Sequence, residues 1–330
     1  MAVISYNLLE DFPKINHDFV LTIGNFDGLH LGHQTILKKT FDIAFEKGYK
    51  KVLITFSNKP AALFEENFLN TQIFPITSKI EYFKRLGIDY IFVFEFNSNL
   101  KNLSADDFLK FLSSNSHLKD VVVGQNFTFG KGKSGNSTLL KKYFENNNVF
   151  VTIIPLLYKE GKLISSTMIR QHIISGDFLI NKYLFEPFYI KGLVESGKHF
   201  GRLIEFPTAN IYIYEQIIPR PAVYATITAY KKDDLNSYNY DFSMTFIGTK
   251  GEIETHIFDK NLDLYNKEIK VYFISFIRDN IKLESLAHLE NLLQNDKGNI
   301  IKFFKSIDAL EIGPEKFLKK ISGRIFDVQF

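Results

Sequence analysis

The sequence predicts an α/β protein in two parts: a parallel sheet flanked by helices over residues 1–186, then a small antiparallel β-barrel with C-terminal helices over residues 187–330. Three observations predict it. Short apolar runs alternate with helical stretches through the first half, the pattern of a parallel sheet. Beyond Glu186-Pro187, strand-like runs follow one another with no useful helix between them, the pattern of a barrel. A chain of 330 residues is long enough for two cores.

Taken in order, Phe19 to Ile23 (F-V-L-T-I) is apolar and β-branched, as a strand buried on both faces must be. Gly24 and Gly28 loosen the backbone where this strand turns into a helix that continues through Gln34 to Lys47, with Gly48 as its C-cap. Lys51 to Phe56 is a second strand. Ser78 with Glu81 predicts a capping box for a helix that stops near Gly87. Tyr90 to Phe94 is a third strand, and Ser104 caps a helix through Phe111. Val121 to Val123, the helix Leu139 to Phe144, and the strand Phe150 to Ile154 complete the sheet. In the second half the strands are Tyr189 to Val194, Val223 to Tyr230, Asp241 to Ile247, Ile253 to Phe258 and Ile269 to Phe276. Leu283 to Gln294 is helical, with Glu284, His288 and Asn291 on one polar stripe, and the tail from Asp296 is helical too.

Composition narrows the function classes. Hydrophobic residues at 45% and charged residues at 23% are ordinary for a globular protein. A net charge of +3 without a dense basic tract argues against nucleic acid as a partner. The absence of cysteine excludes disulfides, thiolate metal sites and cysteine nucleophiles, and fits a reducing cytoplasm. The N-terminus, M-A-V-I-S-Y-N-L-L-E-D, lacks a basic region and meets acids early, unlike a signal peptide. The most apolar window, Val149 to Tyr158, is broken by Pro155 and falls far short of the ~20 residues of a membrane span. A soluble cytoplasmic protein with no membrane partner is expected.

The chemistry gathers at Phe19 to His33, F-V-L-T-I-G-N-F-D-G-L-H-L-G-H. His30 and His33 share one face of a first helical turn. Backbone N–H groups, the positive helix end and two imidazoles then aim at one spot beyond the strand's carboxyl end, a good place to hold a phosphate. Such a site suits nucleotidyl transfer, where charge grows on phosphate oxygens as pyrophosphate leaves the α-phosphorus of ATP. A zinc pair would want a third ligand, and the sequence offers neither H-E-x-x-H nor cysteines.

Two further segments reach the same sheet edge. Gly124 to Gly135 (G-Q-N-F-T-F-G-K-G-K-S-G) is too glycine-rich for regular structure, and Asn126 in it offers an amide for hydrogen bonding. Its G-K-S is no P-loop, because Phe127 stands where a glycine is required. Ile164 to Arg170 (I-S-S-T-M-I-R) puts Ser165, Ser166, Thr167 and Arg170 at a helix start, where hydroxyls, N–H groups and a guanidinium make an anion clamp. In the second half, strand alternation sets Glu252, Glu254 and His256 on one face.

The first stretch resembles the H-x-G-H signature of the adenylyltransferase superfamily. Its longer form, G-N-F-D-G-x-H-x-G-H (Gly24, Asn25, Phe26, Asp27, Gly28, His30, Gly32, His33), resembles the bacterial bifunctional riboflavin kinase/FMN adenylyltransferases. Residues 124–130 are similar to that family's G-x-[DN]-F-x-F-G loop, and 164–170 to its I-S-S-T-x-I-R. Gly197 to Asn210 (G-K-H-F-G-R-L-I-E-F-P-T-A-N) resembles the kinase pattern G-x-x-x-G-R-x-x-G-F-P-T-A-N, and Ile253-Glu254-Thr255-His256 a V-E-x-H-like strand. The resemblance covers about Phe19 to Asp296. It implies a Rossmann-like nucleotidyltransferase domain and a riboflavin kinase barrel, making FMN from riboflavin with MgATP, then FAD and pyrophosphate from FMN and ATP. It also implies that Thr208 and Asn210 hold Mg²⁺ and ATP phosphates, with Gly201 and Arg202 in the same motif. Glu254 would be the kinase base, Arg170 would contact β- or γ-phosphate oxygens, and Asp263-Leu264-Tyr265 and Arg278 would lie around the flavin.

The sequence departs from the family pattern at Ser57-Asn58-Lys59-Pro60, at Phe185-Glu186 for Gly-Arg, at Glu205 and Ala222 for Gly, and at Phe246, which stands without the usual leading Asn. These departures leave two other readings open. One is an FMN adenylyltransferase whose barrel is an inactive flavin-binding or structural module. The other is a flavin or nucleotide sensor without turnover.

Overall fold

The computed structural model describes residues 2–6, 14–57, 72–95, 97–195, 206–213, 216–232, 237–282 and 285–326. Its contacts group into two units, Met1–Ser166 with Arg324–Phe330, and Thr167–Gly323. The sequence-based boundary at 186/187 lies inside the second unit.

The first unit is a six-stranded sheet of β1 (Ala2–Tyr6), β2 (Phe19–Ile23), β3 (Lys50–Phe56), β4 (Tyr90–Phe94), β5 (Leu118–Gly124) and β6 (Phe150–Ile154). The order is β1-β4-β3-β2-β5-β6 and every pairing is parallel. From β2 the chain steps through β3 to β4 on one side, then crosses to β5 and β6 on the other. The winding therefore reverses between β2 and β5, and the crevice beyond their carboxyl ends is where such sheets take ligands.

Both faces of the sheet are covered. Leu21, Ile23, Val52, Ile54, Phe92 and Val121 pack into one buried cluster. Val20 and Val122, pointing the opposite way, pack with Ile43 and Ala44 of α1 (Leu31–Lys47). This double burial explains why β2 reads as a continuous apolar run. α2 (Ile76–Arg85), α3 (Ser98–Asn102), α4 (Ala105–Ser113) and α5 (Ser137–Phe144) supply further helices. Ser104 caps α4 as expected, its hydroxyl accepting from the Asp107 N–H at 3.0 Å.

The capping box at Ser78 does not form. Pro75 ends the preceding loop with φ −62° and ψ 155°, and its carbonyl accepts from the Ser78 N–H at 3.0 Å, so α2 starts earlier. Ser78 then falls inside the helix with its hydroxyl buried. Strand β1 was not anticipated; it adds parallel to β4 at the sheet edge.

The second unit is a closed barrel of β7 (Tyr189–Glu195), β8 (Ala209–Ile213), β9 (Ala222–Lys231), β10 (Tyr238–Ile247), β11 (Ile253–Ile257) and β12 (Glu268–Arg278), in the order β7-β8-β11-β10-β9-β12. All neighbours run antiparallel. Strand β8 was not anticipated, because Pro207 to Asn210 (P-T-A-N) carries residues typical of a turn. One face of β9, β10 and β11 carries a chain of buried hydroxyls: Thr226 to Ser243 at 2.7 Å, Thr228 to Ser243 at 2.8 Å, and Thr245 to both Thr226 and Thr255 at 2.9 Å. Each hydroxyl finds a partner, so burying them carries little penalty.

The helix α6 (Ser166–Ser175) leads into this unit, and the 3₁₀ turn Phe178–Tyr183 seals it. Phe178 packs on Phe273 and Phe188 at 5.3 and 6.1 Å between ring centres. Asn181 donates to the Phe273 carbonyl at 2.9 Å and accepts from the Phe188 N–H at 2.8 Å. These contacts tie residues 178–188 to the barrel. Phe185 and Glu186, two of the departures, are both buried here, and Glu186 accepts from the Tyr272 hydroxyl.

The tail is helical, as expected: α7 (Leu286–Ser306), α8 (Ala309–Ile312) and α9 (Pro314–Ile321). Residues 324–326 then rejoin the first unit. The Ile325 N–H donates to Gln34 Oε1 at 2.8 Å, and the rings of Phe41 and Phe326 lie 5.3 Å apart. Gln34 is fully buried, so removing residues 324–330 strips its oxygen of that donor. We expect a loss of about 1–3 kcal/mol in the first unit, read as an earlier denaturant midpoint for its transition; an unchanged midpoint would show the tail to be dispensable.

Candidate active site

The bend between β2 and α1 contains three left-handed residues, Phe26 (φ 50°), Gly28 (φ 83°) and Leu29 (φ 40°). Only the glycine adopts such a conformation at no steric cost. Its neighbours are held by contacts. The Gly24 N–H donates to the Ile54 carbonyl at 3.1 Å. Asp27, 2% exposed, accepts from the N–H groups of Ile73 and Phe74 at 2.9 and 3.4 Å. Gln34 Nε2 donates to the Leu29 carbonyl at 3.0 Å.

His30 sits at the N-cap of α1 in an extended conformation (φ −68°, ψ 168°), and His33 lies one turn further on. The structure brings the two imidazoles together as the spacing predicts: their rings stack with centres 3.7 Å apart. Phe26 meets His33 edge-on at 5.4 Å. A Cβ on Gly32 would lie 3.2 Å from the His30 ring, and one on Gly24 3.1 Å from the Phe26 ring, so both glycines clear space for the ring beside them. Ser166 Oγ donates to the Asp27 carbonyl at 2.9 Å, which brings the I-S-S-T segment onto the bend. Ser165 precedes it; Thr167 and Arg170 follow on α6, Arg170 one turn after Ser166. Asn126 lies just past the end of β5, exposed, its Oδ1 3.1 Å from where a Cβ on Gly124 would be.

The barrel assembles a second constellation. Ala209 and Asn210 of β8 pair with Thr255 and Glu254 of β11. That register places the Thr208 hydroxyl 3.2 Å from Glu254 Oε2, to which it donates. His256, on the same strand face as Glu254, has its Nδ1 2.9 Å from the Pro207 carbonyl. A carbonyl can only accept, so Nδ1 carries the proton. Phe206 and Phe258 flank the ring, with centres at 5.0 and 5.9 Å. Burial holds this imidazole below the usual histidine pKa; the Pro207 bond and Asp259 oppose that shift and Lys297 adds to it.

The Pro207-Thr208 turn stands between two hollows. One is a cavity of 420 Å³ with apolar walls (Val223, Met244, Phe246, Leu289, Leu292) that also reaches Thr208, Glu254 and Arg278. The other is an 840 Å³ cleft lined by Pro207, His256, Asp259, Lys260, Asn261 and Lys297. Arg278 is committed: its guanidinium forks onto the Asp296 carboxylate at 2.8 and 2.6 Å and donates to the Asp279 carbonyl. Gly201, Arg202, Glu205 and Lys59 lie outside the described residues. The oxygen donors Thr208, Asn210 and Glu254 fit Mg²⁺, which takes oxygen ligands and keeps its waters. No group of three or more His, Asp or Glu that could hold a metal occurs among the described residues.

Sequence reasoning passed over two buried groups at these sites. His256 was placed on a strand face but given no part. Lys79 was not singled out, although it falls on the stripe of α2 that also carries Tyr82 and Phe83. A lysine on an apolar stripe was the available signal.

A stacked histidine pair lies in one unit and a hydrogen-bonded threonine–carboxylate pair in the other. The comparisons give the family. FAD synthetase matches residues 12–168, and riboflavin kinase matches residues 184–304. The bifunctional riboflavin kinase/FMN adenylyltransferase of Buchnera aphidicola subsp. Schizaphis graminum is 32% identical over 306 residues, which span 91% of this chain and 98% of that protein. The protein of the same name from Bacillus subtilis (strain 168) is 31% identical over 295 residues, 87% of this chain and 93% of its own. A solved structure described as a macrolide-efflux protein from Streptococcus pneumoniae superposes with a TM-score of 0.79 at 28% identity, over 90% of this chain and 98% of that one. Among the described residues, no helix of this chain is long and apolar enough to cross a membrane. The chain belongs to the bifunctional riboflavin kinase/FMN adenylyltransferase family.

The lowered basicity of His256 sets a pH dependence. The unfolded chain takes up this proton before the folded one does, so stability is present above about pH 6.5 and is lost as pH falls below it. We expect the unfolding midpoint of the second unit to drop from pH 7 to pH 5, and to drop less in His256→Gln. Equal slopes would show that this imidazole does not titrate on unfolding.

Proposed function

We propose that this chain performs two successive ATP-dependent steps on a flavin: phosphorylation of riboflavin to FMN in residues 187–330, and adenylyl transfer to FMN in residues 1–186. One observation carries the reading. The chemistry-bearing side chains gather in two separate clusters, His30 with His33 and Thr208 with Glu254, each within its own unit.

In the kinase step the apolar cavity suits the flavin ring, and the lysine-lined cleft suits a polyphosphate. Glu254 takes the proton of the terminal ribityl hydroxyl as its oxygen attacks the γ-phosphorus, and ADP leaves. Thr208 and Asn210 would hold Mg²⁺, which when bound with ATP neutralises phosphate charge. Gly201 and Arg202 belong to the same phosphate motif.

In the second step an FMN phosphate oxygen attacks the α-phosphorus in line, and the bond to pyrophosphate breaks with no covalent enzyme intermediate. His30 and His33 stabilise charge on the phosphate oxygens, with the N–H groups at the start of α1 beside them. Ser165, Ser166, Thr167 and Arg170 grip the departing pyrophosphate, and Asn126 meets the flavin and adenine side. ATP use and a chain without cysteine support a cytoplasmic setting.

Chromatography of products from riboflavin plus MgATP tests the reading. We expect both FMN and FAD. FAD formed only from supplied FMN would leave the barrel without its kinase, and no product from either flavin would leave a binding protein. Two variants then separate the sites. His30→Ala is expected to lower FAD formation at least 100-fold, of the order set by loss of transition-state donors, while FMN formation persists. Glu254→Gln is expected to lower riboflavin phosphorylation by roughly 10²–10⁴-fold and to spare FAD synthesis from FMN. Parallel loss of both activities in either variant would contradict independent sites.

A further inference from the structure

Helix α2 presents two side chains to the bend after β2, four residues apart on one face. Lys79 is 2% exposed, yet its Nζ donates three hydrogen bonds: to the Asn25 carbonyl at 3.1 Å, to Asn25 Oδ1 at 3.0 Å and to the Phe56 carbonyl at 3.2 Å. An ammonium has three N–H groups, and all three are used. The acceptors lie just beyond β2 and at the end of β3, the floor of the crevice that holds His30 and His33. Thr55 reinforces the contact, its hydroxyl donating to the same Asn25 carbonyl at 3.3 Å.

The second side chain is Phe83. Its ring meets Phe26 edge-on at 5.7 Å, and Phe26 in turn meets His33 at 5.4 Å. Helix α2 thus grips the bend twice, by charge at Asn25 and by packing at Phe26, and Phe26 is one of the left-handed residues that must be held. A methionine at 79 would fill similar space without dehydrating a charge, but would take one donor from each of the three oxygens, leaving the Asn25 carbonyl only the Thr55 hydroxyl.

We propose that Lys79 is a positioning residue for adenylyl transfer, a buried cation that fixes the Asn25–Asp27 bend and, through Phe26, the imidazole of His33. The inference rests on reading the His30–His33 site as the adenylyl-transfer site. Lys79 itself touches no substrate.

Burial lowers the Lys79 pKa to about 8, and the Asp27 carboxylate, the charged group bearing on it from the bend, opposes that shift. At neutral pH the ammonium is charged and makes all three bonds. As pH rises through about 8 the amine keeps only two N–H groups for three acceptors, and the bend loses one tie.

The test compares wild type, Lys79→Met and Lys79→Arg as full chains, following FAD formation from FMN and ATP between pH 6 and 10. FMN formation from riboflavin in the same samples reports folding. We expect Lys79→Met to lower kcat for FAD formation at least tenfold, with KM for ATP and FMN changed less than threefold and FMN formation retained. Wild-type FAD formation should fall as pH rises through about 8. In Lys79→Arg, whose guanidinium stays charged, that alkaline limb should move to higher pH. Wild-type kcat in Lys79→Met, or an alkaline limb with the same midpoint in Lys79→Arg, overturns the proposal. If Lys79→Met loses both activities, the arginine pH profile decides. Failure of wild type to make any FAD from FMN would instead remove the adenylyl-transfer reading on which the proposal rests.

Discussion

The first unit depends on keeping one bend in a conformation its residues resist. Phe26 and Leu29 are both left-handed, at about 1–3 kcal/mol each for a residue with a side chain. Hydrogen bonds from a charged donor or to a charged acceptor contribute about 1.5–3 kcal/mol each. Lys79 makes three such bonds and Asp27 accepts two, with Gln34 and Ser166 adding neutral ones. These ties hold the bend, and the helix that follows starts at Leu31 with His30 as its N-cap. A wider turn would carry the two imidazoles apart.

The barrel meets a comparable demand by register. Strand β8 joins β11 through only two residue pairs, Ala209 with Thr255 and Asn210 with Glu254. That short overlap sets Thr208 opposite the carboxylate. A slip of one residue would turn Asn210 to the other face. His256 guards against it from the neighbouring position by holding the Pro207 carbonyl. The fully paired hydroxyls across β9, β10 and β11 stiffen the wall against which this turn rests.

Much of the fold was legible in the chain. The β2 run is uninterrupted because both its faces are buried, and Phe150–Ile154, a half-buried strand at the sheet edge, also matched its predicted span. The nearness of the two histidines was legible in their three-residue spacing at a helix start, although His30 sits as the extended N-cap and the bend before it is held by distant partners. What escaped depends on partners distant in sequence. Strand β1 exists because β4 offers it an edge. Strand β8 was hidden by the turn signal of its own first residues. Ser78 carries a capping signature that Pro75 overrides. Lys79 is unremarkable in composition and gains meaning only when the ends of β2 and β3 are brought beneath it. Arg278, placed near the flavin by resemblance alone, is clasped by Asp296, eighteen residues on.

The closing segment has a bearing on biosynthesis. Gln34 joins the Leu29 carbonyl, beside His30, to the backbone of Ile325. Gln34 leaves the ribosome 291 residues ahead of Ile325. Helix α1 can therefore form as it emerges, before the Ile325 N–H is available to it. A nascent chain arrested anywhere in the second half carries that helix without this tie.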